Sequence, residues 1–388
     1  MTYYFDNSST TMKKPPEVAE AVYRALRGEE LGNPARGSHG PALQALRQTE
    51  QVRLKVANFF HLSDSTQVSF TQNATYALNI LLKSLLSSGD EIITSRQEHN
   101  SVLRPLYQLE KEGVELHFLD VDKDGNVQLE QLDLLVTNHT KAVIINHMSN
   151  VTGNVIDLQK VGDFCRQHRL LLIVDAAQSA GTIPIDMEKM GVDALCFTGH
   201  KSLYGPQGTG GICINHRNLV LKPVFSGGSG SNSYEKEMPV GLPTIFEPGT
   251  LNVPGIVGLG AGLDYVEEKT VPEIQKELSE MTLYFLSSIE MIPGIQIYGM
   301  NSQQVQKNPK SHGPIVSLNL EGWNSGDLAD VLAQDYGIAV RSGAHCAPLI
   351  HEHFQTVKRG MVRFSFSTFN NKEELDYTIK ALKELSEE

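Results

Sequence analysis

Positive charge is scarce in this 388-residue chain: 33 lysines and arginines stand against 45 aspartates and glutamates, a net charge of −12. No basic tract interrupts that balance, which argues against nucleic acid or an anionic membrane as the partner. Cysteine is scarce as well. Four in so long a chain cannot build a disulfide framework, so the sequence points to a reducing compartment and asks whether one cysteine is chemical. No apolar run approaches the roughly 18 residues that a bilayer-spanning helix needs. The start, Met1-Thr2-Tyr3-Tyr4-Phe5-Asp6, lacks the basic region and apolar stretch of a signal peptide. The expectation is a soluble, cytoplasmic protein. Internal repeats and long low-complexity segments are missing too. What remains is 40% hydrophobic and 20% charged, enough apolar material for a large core. At about 150 residues per domain the length predicts two or three domains.

The middle of the chain alternates two periodicities. Leu78, Leu81, Leu82, Leu85 and Leu86 share one face of an amphipathic helix that Gly89 stops. Short β-rich runs follow at Glu91–Thr94, Ala142–Ile145, Leu170–Val174, Ala194–Thr198 and Gly210–Ile214, with helix-length connections such as Leu158–His168 between several of them. That rhythm predicts βαβ units and a mostly parallel sheet. Leu170–Val174 is apolar throughout, as a strand covered on both faces must be. Beyond Ser226-Gly227-Gly228-Ser229-Gly230-Ser231 the pattern changes. A long helical region covers roughly 255–290, then strand candidates Ile315–Leu320, Ile338–Arg341 and Val362–Ser367 alternate with helices. A final helix carries Leu375, Ile379 and Leu382 on one face. The expectation is an α/β fold with a large domain over 1–255 and a smaller α+β domain over 256–388, the N-terminal segment reaching into the latter.

Ligands of open α/β sheets bind outside the carboxyl ends of the strands, so the polar residues after each strand deserve inspection. Asp175-Ala176-Ala177-Gln178 follows one strand, Thr198-Gly199-His200-Lys201 the next, and Asn146-His147-Met148-Ser149-Asn150 a third. Asn73-Ala74-Thr75 opens the leucine-rich helix, and Glu98-His99 follows the Glu91–Thr94 run. Together they supply an acid, a lysine, a ring that can stack, and hydroxyls and amides at a helix N-terminus. Pyridoxal 5'-phosphate needs that set: a lysine for the Schiff base, a carboxylate for the pyridinium nitrogen, a helix N-terminus for phosphate.

With Phe5-Asp6-Asn7-Ser8-Ser9-Thr10-Thr11, Gly32-Asn33-Pro34-Ala35, Glu247-Pro248-Gly249-Thr250, Arg341-Ser342-Gly343-Ala344-His345-Cys346-Ala347 and Val362-Arg363 added, the chain resembles the class V aminotransferase group of fold-type I pyridoxal-phosphate enzymes nearly end to end. Within that group it is similar to the cysteine desulfurases and selenocysteine lyases, a resemblance that implies a seven-stranded type of sheet in the large domain. The resemblance implies that Lys201 holds the cofactor and moves the Cα proton, that Asp175 pairs with the ring nitrogen, and that Gln178 faces the phenolic oxygen with Asn150 nearby. It implies that His99 stacks on the ring and that Ala74, Thr75, Thr198 and His200 lie about the phosphate, with Thr250 arriving from a second subunit of a homodimer. Arg363 would clamp the substrate carboxylate, with Arg341, Asn33 and His345 around the substrate. Cys346 would take sulfur or selenium from L-cysteine or L-selenocysteine, leaving L-alanine, and would pass it to an acceptor, an acceptor protein being among the expected partners. A desulfurase is the first expectation and a selenocysteine lyase the alternative, ahead of another class V lyase or aminotransferase. Ala344 stands where the short-loop desulfurases usually carry a histidine.

Plainer readings sit beside these. Asp175 and Asn73 suit helix caps, His99 a satisfied core histidine, and Arg363 a structural ion pair. Cys165, Cys196 and Cys213 lie in apolar runs and read as packing. The spacing of Cys346, His351 and His353 fits no common zinc site, so no metal is expected. Gly205–Gly211 lacks the Lys-Ser/Thr ending of a phosphate loop, and Asp122–Asn126 reads as a turn.

Overall fold

The computed structural model describes residues 2–28, 30–34, 37–215 and 219–387; Ala35, at the end of the Gly32–Ala35 motif, lies outside them. Strands run in chain order as β1 (Tyr3–Tyr4), β2 (Val68–Thr71), β3 (Glu91–Ser95), β4 (Glu115–Leu119), β5 (Thr140–Asn146), β6 (Leu171–Asp175), β7 (Ala194–Thr198), β8 (Gly210–Ile214), β9 (Ile295–Tyr298), β10 (Ile315–Leu320), β11 (Ile338–Ala339), β12 (Arg341–Gly343) and β13 (Met361–Ser365). Seven of them form one sheet in the order β2-β8-β7-β6-β5-β3-β4. From β4 to β7 every pairing is parallel; β8 runs antiparallel to both of its neighbours.

The apolar β6 run behaves as its composition requires. Leu172 and Val174 enter a core with Val161 and Cys165 on one face, while Ile173 packs with Leu78, Leu81 and Leu82 on the other. Strand residues alternate sides, so a wholly apolar strand needs helices over both faces. The helices Leu158–His168 and Ala74–Leu85 supply them.

A second, antiparallel sheet has the order β12-β13-β10-β9. Val362 and Phe364 of β13 point into its core against Phe285, Leu375 and Leu382. Two sequence expectations change here. The helical region near 255–290 is two helices, Val253–Lys269 and Val271–Ile289, broken at Thr270 with φ of +64° just before Pro272. A proline two residues past a left-handed turn starts the new helix at its second position, where its missing N–H costs nothing. The expected strand Ile338–Arg341 also divides. β11 pairs in parallel with β1, and β12 joins β13. Strands β1, β2, β4 and β9 lie outside the sequence expectation: at two to five residues each is too short for its pattern to stand out from the flanking chain.

Among the described residues, no helix is long and apolar enough to cross a membrane.

Candidate functional site

Four neighbouring strands, β3, β5, β6 and β7, end on the same edge of the large sheet, and the chain leaving each contributes to a cavity of about 420 Å³. Connections leave β3 and β5 toward opposite sides, which is where an open α/β sheet splits into a crevice. Asn146 and Asp175 close β5 and β6 in register with each other. Thr198 closes β7, and His200 and Lys201 follow it. Asn73, Ala74 and Thr75 face the same cavity from the start of the helix Ala74–Leu85; Asn73 caps that helix by accepting from the Tyr76 N–H at 3.0 Å. Its free N–H groups and its dipole therefore point at the cavity.

Asp175 is buried. Its Oδ1 accepts from the Ala177 N–H at 2.9 Å and its Oδ2 from the Ser101 hydroxyl at 3.2 Å. Burial raises its pKa above the ordinary carboxylate value, and those hydrogen bonds and Lys201 pull back in the other direction. Burial likewise lowers Lys201 to about 8; Asp175 opposes that fall, and Arg363 and Arg341 add to it. Roughly a tenth of the amine is then unprotonated at pH 7, far more than for an ordinary lysine and in the direction a nucleophilic lysine requires.

His99 caps the next helix, Asn100–Glu110. Its Nδ1 accepts from the Ser101 N–H at 3.0 Å and lies 2.8 Å from the Ser101 hydroxyl. An accepting Nδ1 places the proton of the neutral ring on Nε2. Burial first, then the charges of Lys201, Arg341, Arg363 and Arg104, lowers this histidine to about 3. Gln178 donates to the Ser8 carbonyl at 3.2 Å, and His200 Nδ1 lies 3.0 Å from the Thr10 hydroxyl. Asn150 turns its Nδ2 to the His345 carbonyl at 2.7 Å and keeps a buried Oδ1 with no protein partner.

A second group comes from the smaller sheet and the N-terminal segment. Arg363 on β13 points opposite to Phe364 and is 1% exposed. It donates to the Asn150 carbonyl at 2.9 Å, to Asp6 at 2.8 Å and to Ser9 at 3.0 Å. Arg341 lies directly across from it on β12 and donates to Ser9 at 2.9 Å. His345 and Cys346 follow, both left-handed with φ of +50° and +57°. Two adjacent non-glycine residues in that region are strained and must be held by their surroundings. They are: Asn150 binds the His345 carbonyl, the Asn100 N–H binds the Cys346 carbonyl at 2.7 Å, and His345 Nε2 lies 3.1 Å from the Arg341 carbonyl. Cys346 is exposed, whereas Cys165, Cys196 and Cys213 are buried.

Thr250 and Asn33 stand apart from both groups. Thr250 is exposed and lines an adjoining cavity that shares Tyr76 with the first; Asn33 donates to its hydroxyl at 3.4 Å. Sequence reasoning overlooked Asp6, Ser9 and Ser101 as single residues. The clue was the run of short polar side chains from Asp6 to Thr11, in which no spacing marks one residue above another.

A lysine and a buried carboxylate set among the ends of parallel strands, with a helix N-terminus aimed between them, define a cofactor-dependent α/β enzyme. The chain belongs to the class-V aminotransferase family, whose model matches residues 3–378. It is similar to a probable cysteine desulfurase of Methanothermobacter thermautotrophicus, 33% identical over 99% of this chain and 94% of that protein. A cysteine desulfurase of Escherichia coli strain K12 is 31% identical over 98% of this chain and 93% of its own length. Among solved structures, the apo cysteine desulfurase of Thermococcus onnurineus NA1 superposes with a TM-score of 0.88 at 30% identity, covering 100% of this chain and 95% of that one.

The cavity suits the pyridoxal phosphate that the family implies. It offers an amine of lowered pKa, a buried carboxylate for a ring nitrogen, exposed N–H donors for phosphate, and the unpartnered Asn150 Oδ1 as a buried group awaiting a donor.

Proposed function

We propose that this chain removes sulfur from L-cysteine and releases L-alanine, with pyridoxal phosphate in the cavity and Cys346 as the first sulfur acceptor. One observation carries the reading: Lys201, Asp175 and His99 share a single cavity, and the loop of Cys346 is bonded to the helix that His99 caps. The relatives named as cysteine desulfurases cover essentially the whole chain.

In this reading Lys201 holds the cofactor, Asp175 its ring nitrogen, Gln178 and Asn150 its phenolic oxygen side, and Ala74, Thr75, Thr198 and His200 its phosphate. When bound, the cofactor supplies an electron sink for the substrate's α-carbon. The chain's own residues do the rest. Arg363, with Arg341 and His345 about the substrate, receives the carboxylate, while Asn33, bonded to Thr250, would serve a partner's cavity with it. Lys201 carries the α-proton, which its lowered pKa favours. His99 presents a fixed Nε2–H over the site. Cys346 forms a bond to the substrate sulfur as the carbon–sulfur bond breaks, and one proton moves to the β-carbon, so that cysteine plus thiol becomes alanine plus persulfide. An exposed, tethered thiol can hand that sulfur to a second acceptor. A homodimer fits the outward placement of Thr250, which would serve a partner's cavity.

Alanine, sulfide and selenide should be quantified with L-cysteine and L-selenocysteine. Sulfide is expected from the wild type with reductant, and to fall at least about a hundredfold in Cys346→Ala. Lys201→Ala should stay colourless with added cofactor and lose activity. Sulfide release unchanged in Cys346→Ala would sink the persulfide route, and selenide without any sulfide would reassign the substrate.

A further inference from the structure

We propose that Asp6 is a resident counter-ion of the carboxylate site, so that substrate reaches Arg363 only by exchange with a carboxylate the chain itself supplies. The proposal rests on the reading of Arg363 as the receiver of the substrate carboxylate.

A guanidinium offers two edges with paired donors, Nη1 with Nη2 and Nε with Nη2, and Nη2 belongs to both. Its two hydrogens are taken, one by Asp6 Oδ1 at 2.8 Å and one by Ser9 Oγ at 3.0 Å. Nη1 gives one hydrogen to the Asn150 carbonyl, and Nε is buried with no partner. Neither edge can take both oxygens of an incoming carboxylate until Nη2 is released.

Ser9 is poorly placed to let go. Its hydroxyl donates to Asp6 Oδ1 at 2.7 Å and accepts from Arg341 as well as Arg363, so it is held from three sides. Asp6 has an alternative. Its side chain is 21% exposed against 1% for Arg363, and it can turn toward water when displaced. Among the described residues Arg341 has no acidic partner, so two guanidiniums and one carboxylate leave a single positive charge, the complement of one monoanion. Asp6 thereby neutralises a buried cation between turnovers and eases the departure of the product, which carries the same carboxylate. It acts through Arg363 and is a positioning residue.

Asp6→Asn tests this on the holoenzyme, because the amide oxygen can still accept from Nη2 and Ser9 while the charge is gone. KM for L-cysteine and the inhibition constant of propionate, a carboxylate with neither amine nor sulfur, should each fall about fivefold, with kcat not raised. Asp6→Glu should restore the wild-type values. Unchanged or raised constants in folded Asp6→Asn overturn the proposal. If that variant does not fold, Ser9→Ala frees one Nη2 hydrogen and should lower both constants; constants unchanged there overturn it equally. Arg363→Lys separates the two readings. Raised constants in that variant beside unmoved ones in Asp6→Asn discard the counter-ion alone, and constants unmoved in Arg363→Lys discard the carboxylate role of Arg363 itself.

Discussion

Glu98 shows how far a single buried group can be pushed by its surroundings. Its Oε1 accepts from the Ser95 hydroxyl at 2.6 Å and the Asn146 N–H at 3.0 Å, while its Oε2 has no partner. Burial raises the carboxyl to about 8; the two hydrogen bonds lower it only in part, and the charge of Asp175 adds to the rise. Because the folded pKa lies above the unfolded one near 4.5, folding favours the protonated form, and stability is lost as pH climbs from about 4.5 to about 8. Glu98→Gln removes that titration. Thermal unfolding of the two proteins at pH 5 and pH 9 should show the wild type losing ground to the variant as pH rises; a constant gap would contradict the buried acid. The same logic makes His99 neutral throughout the physiological range, so an inflexion near pH 6.5 in a rate profile should not survive as its signature. Lys201, Asp175 and His99 were legible in the sequence because each follows a strand. Ser101, which joins His99 to Asp175, was not: a serine in the first turn of a helix is common, and only the ending of β3 and β6 on one sheet edge, either side of β5, gives its hydroxyl two partners.

At the scale of elements, close approach decides what the pattern leaves open. Periodicity in Leu158–His168 predicts a helix with Cys165 on its apolar face, and that is what forms. It does not reveal that Gly162 lies against the Met187–Met190 helix, where a Cβ would fall 1.8 Å from the Met190 carbonyl oxygen. Gly162→Ala must therefore push two elements apart. The expected loss is more than about 2 kcal/mol, despite the better helix propensity of alanine. Urea denaturation measures it, and a midpoint at or above that of the wild type would show that the contact yields. The divided helix at Thr270 and the divided strand at Val340 have different origins. The first is written in the local sequence, a left-handed Thr270 ahead of Pro272, whereas the second is set by two different partners, β1 for one half and β13 for the other.

Across the whole molecule, buried polar pairs tie distant segments together. Arg53, 2% exposed, donates to Glu247 through both Nη atoms at 2.6 and 3.0 Å and to the Val68 carbonyl at 2.7 Å, while Glu247 also accepts from the Phe70 N–H. The pair joins the helix Gly40–Phe59, strand β2 and the segment leading to Thr250. Arg53→Met leaves an uncompensated buried carboxylate, and about 3–5 kcal/mol should be lost. Adding Glu247→Leu should recover much of it, because replacing both partners removes the charge as well as the bond. Equal losses in the single and double variants would mean that the pair does not act as a unit.

By itself the sequence determined the class of fold, the ends of the parallel strands and the residues that follow them. Alternation, apolar runs and helix caps are local, and a strand's last residue is a position that local rules can find. Tertiary structure decided the rest of the site. Asp6 reaches Arg363, Asn150 holds the His345 carbonyl, and Asn100 holds that of Cys346, each across hundreds of residues. No propensity encodes such a meeting. It exists only because burying the faces of two sheets brings their polar edges together, where every donor and acceptor must find a partner or bear the cost of having none.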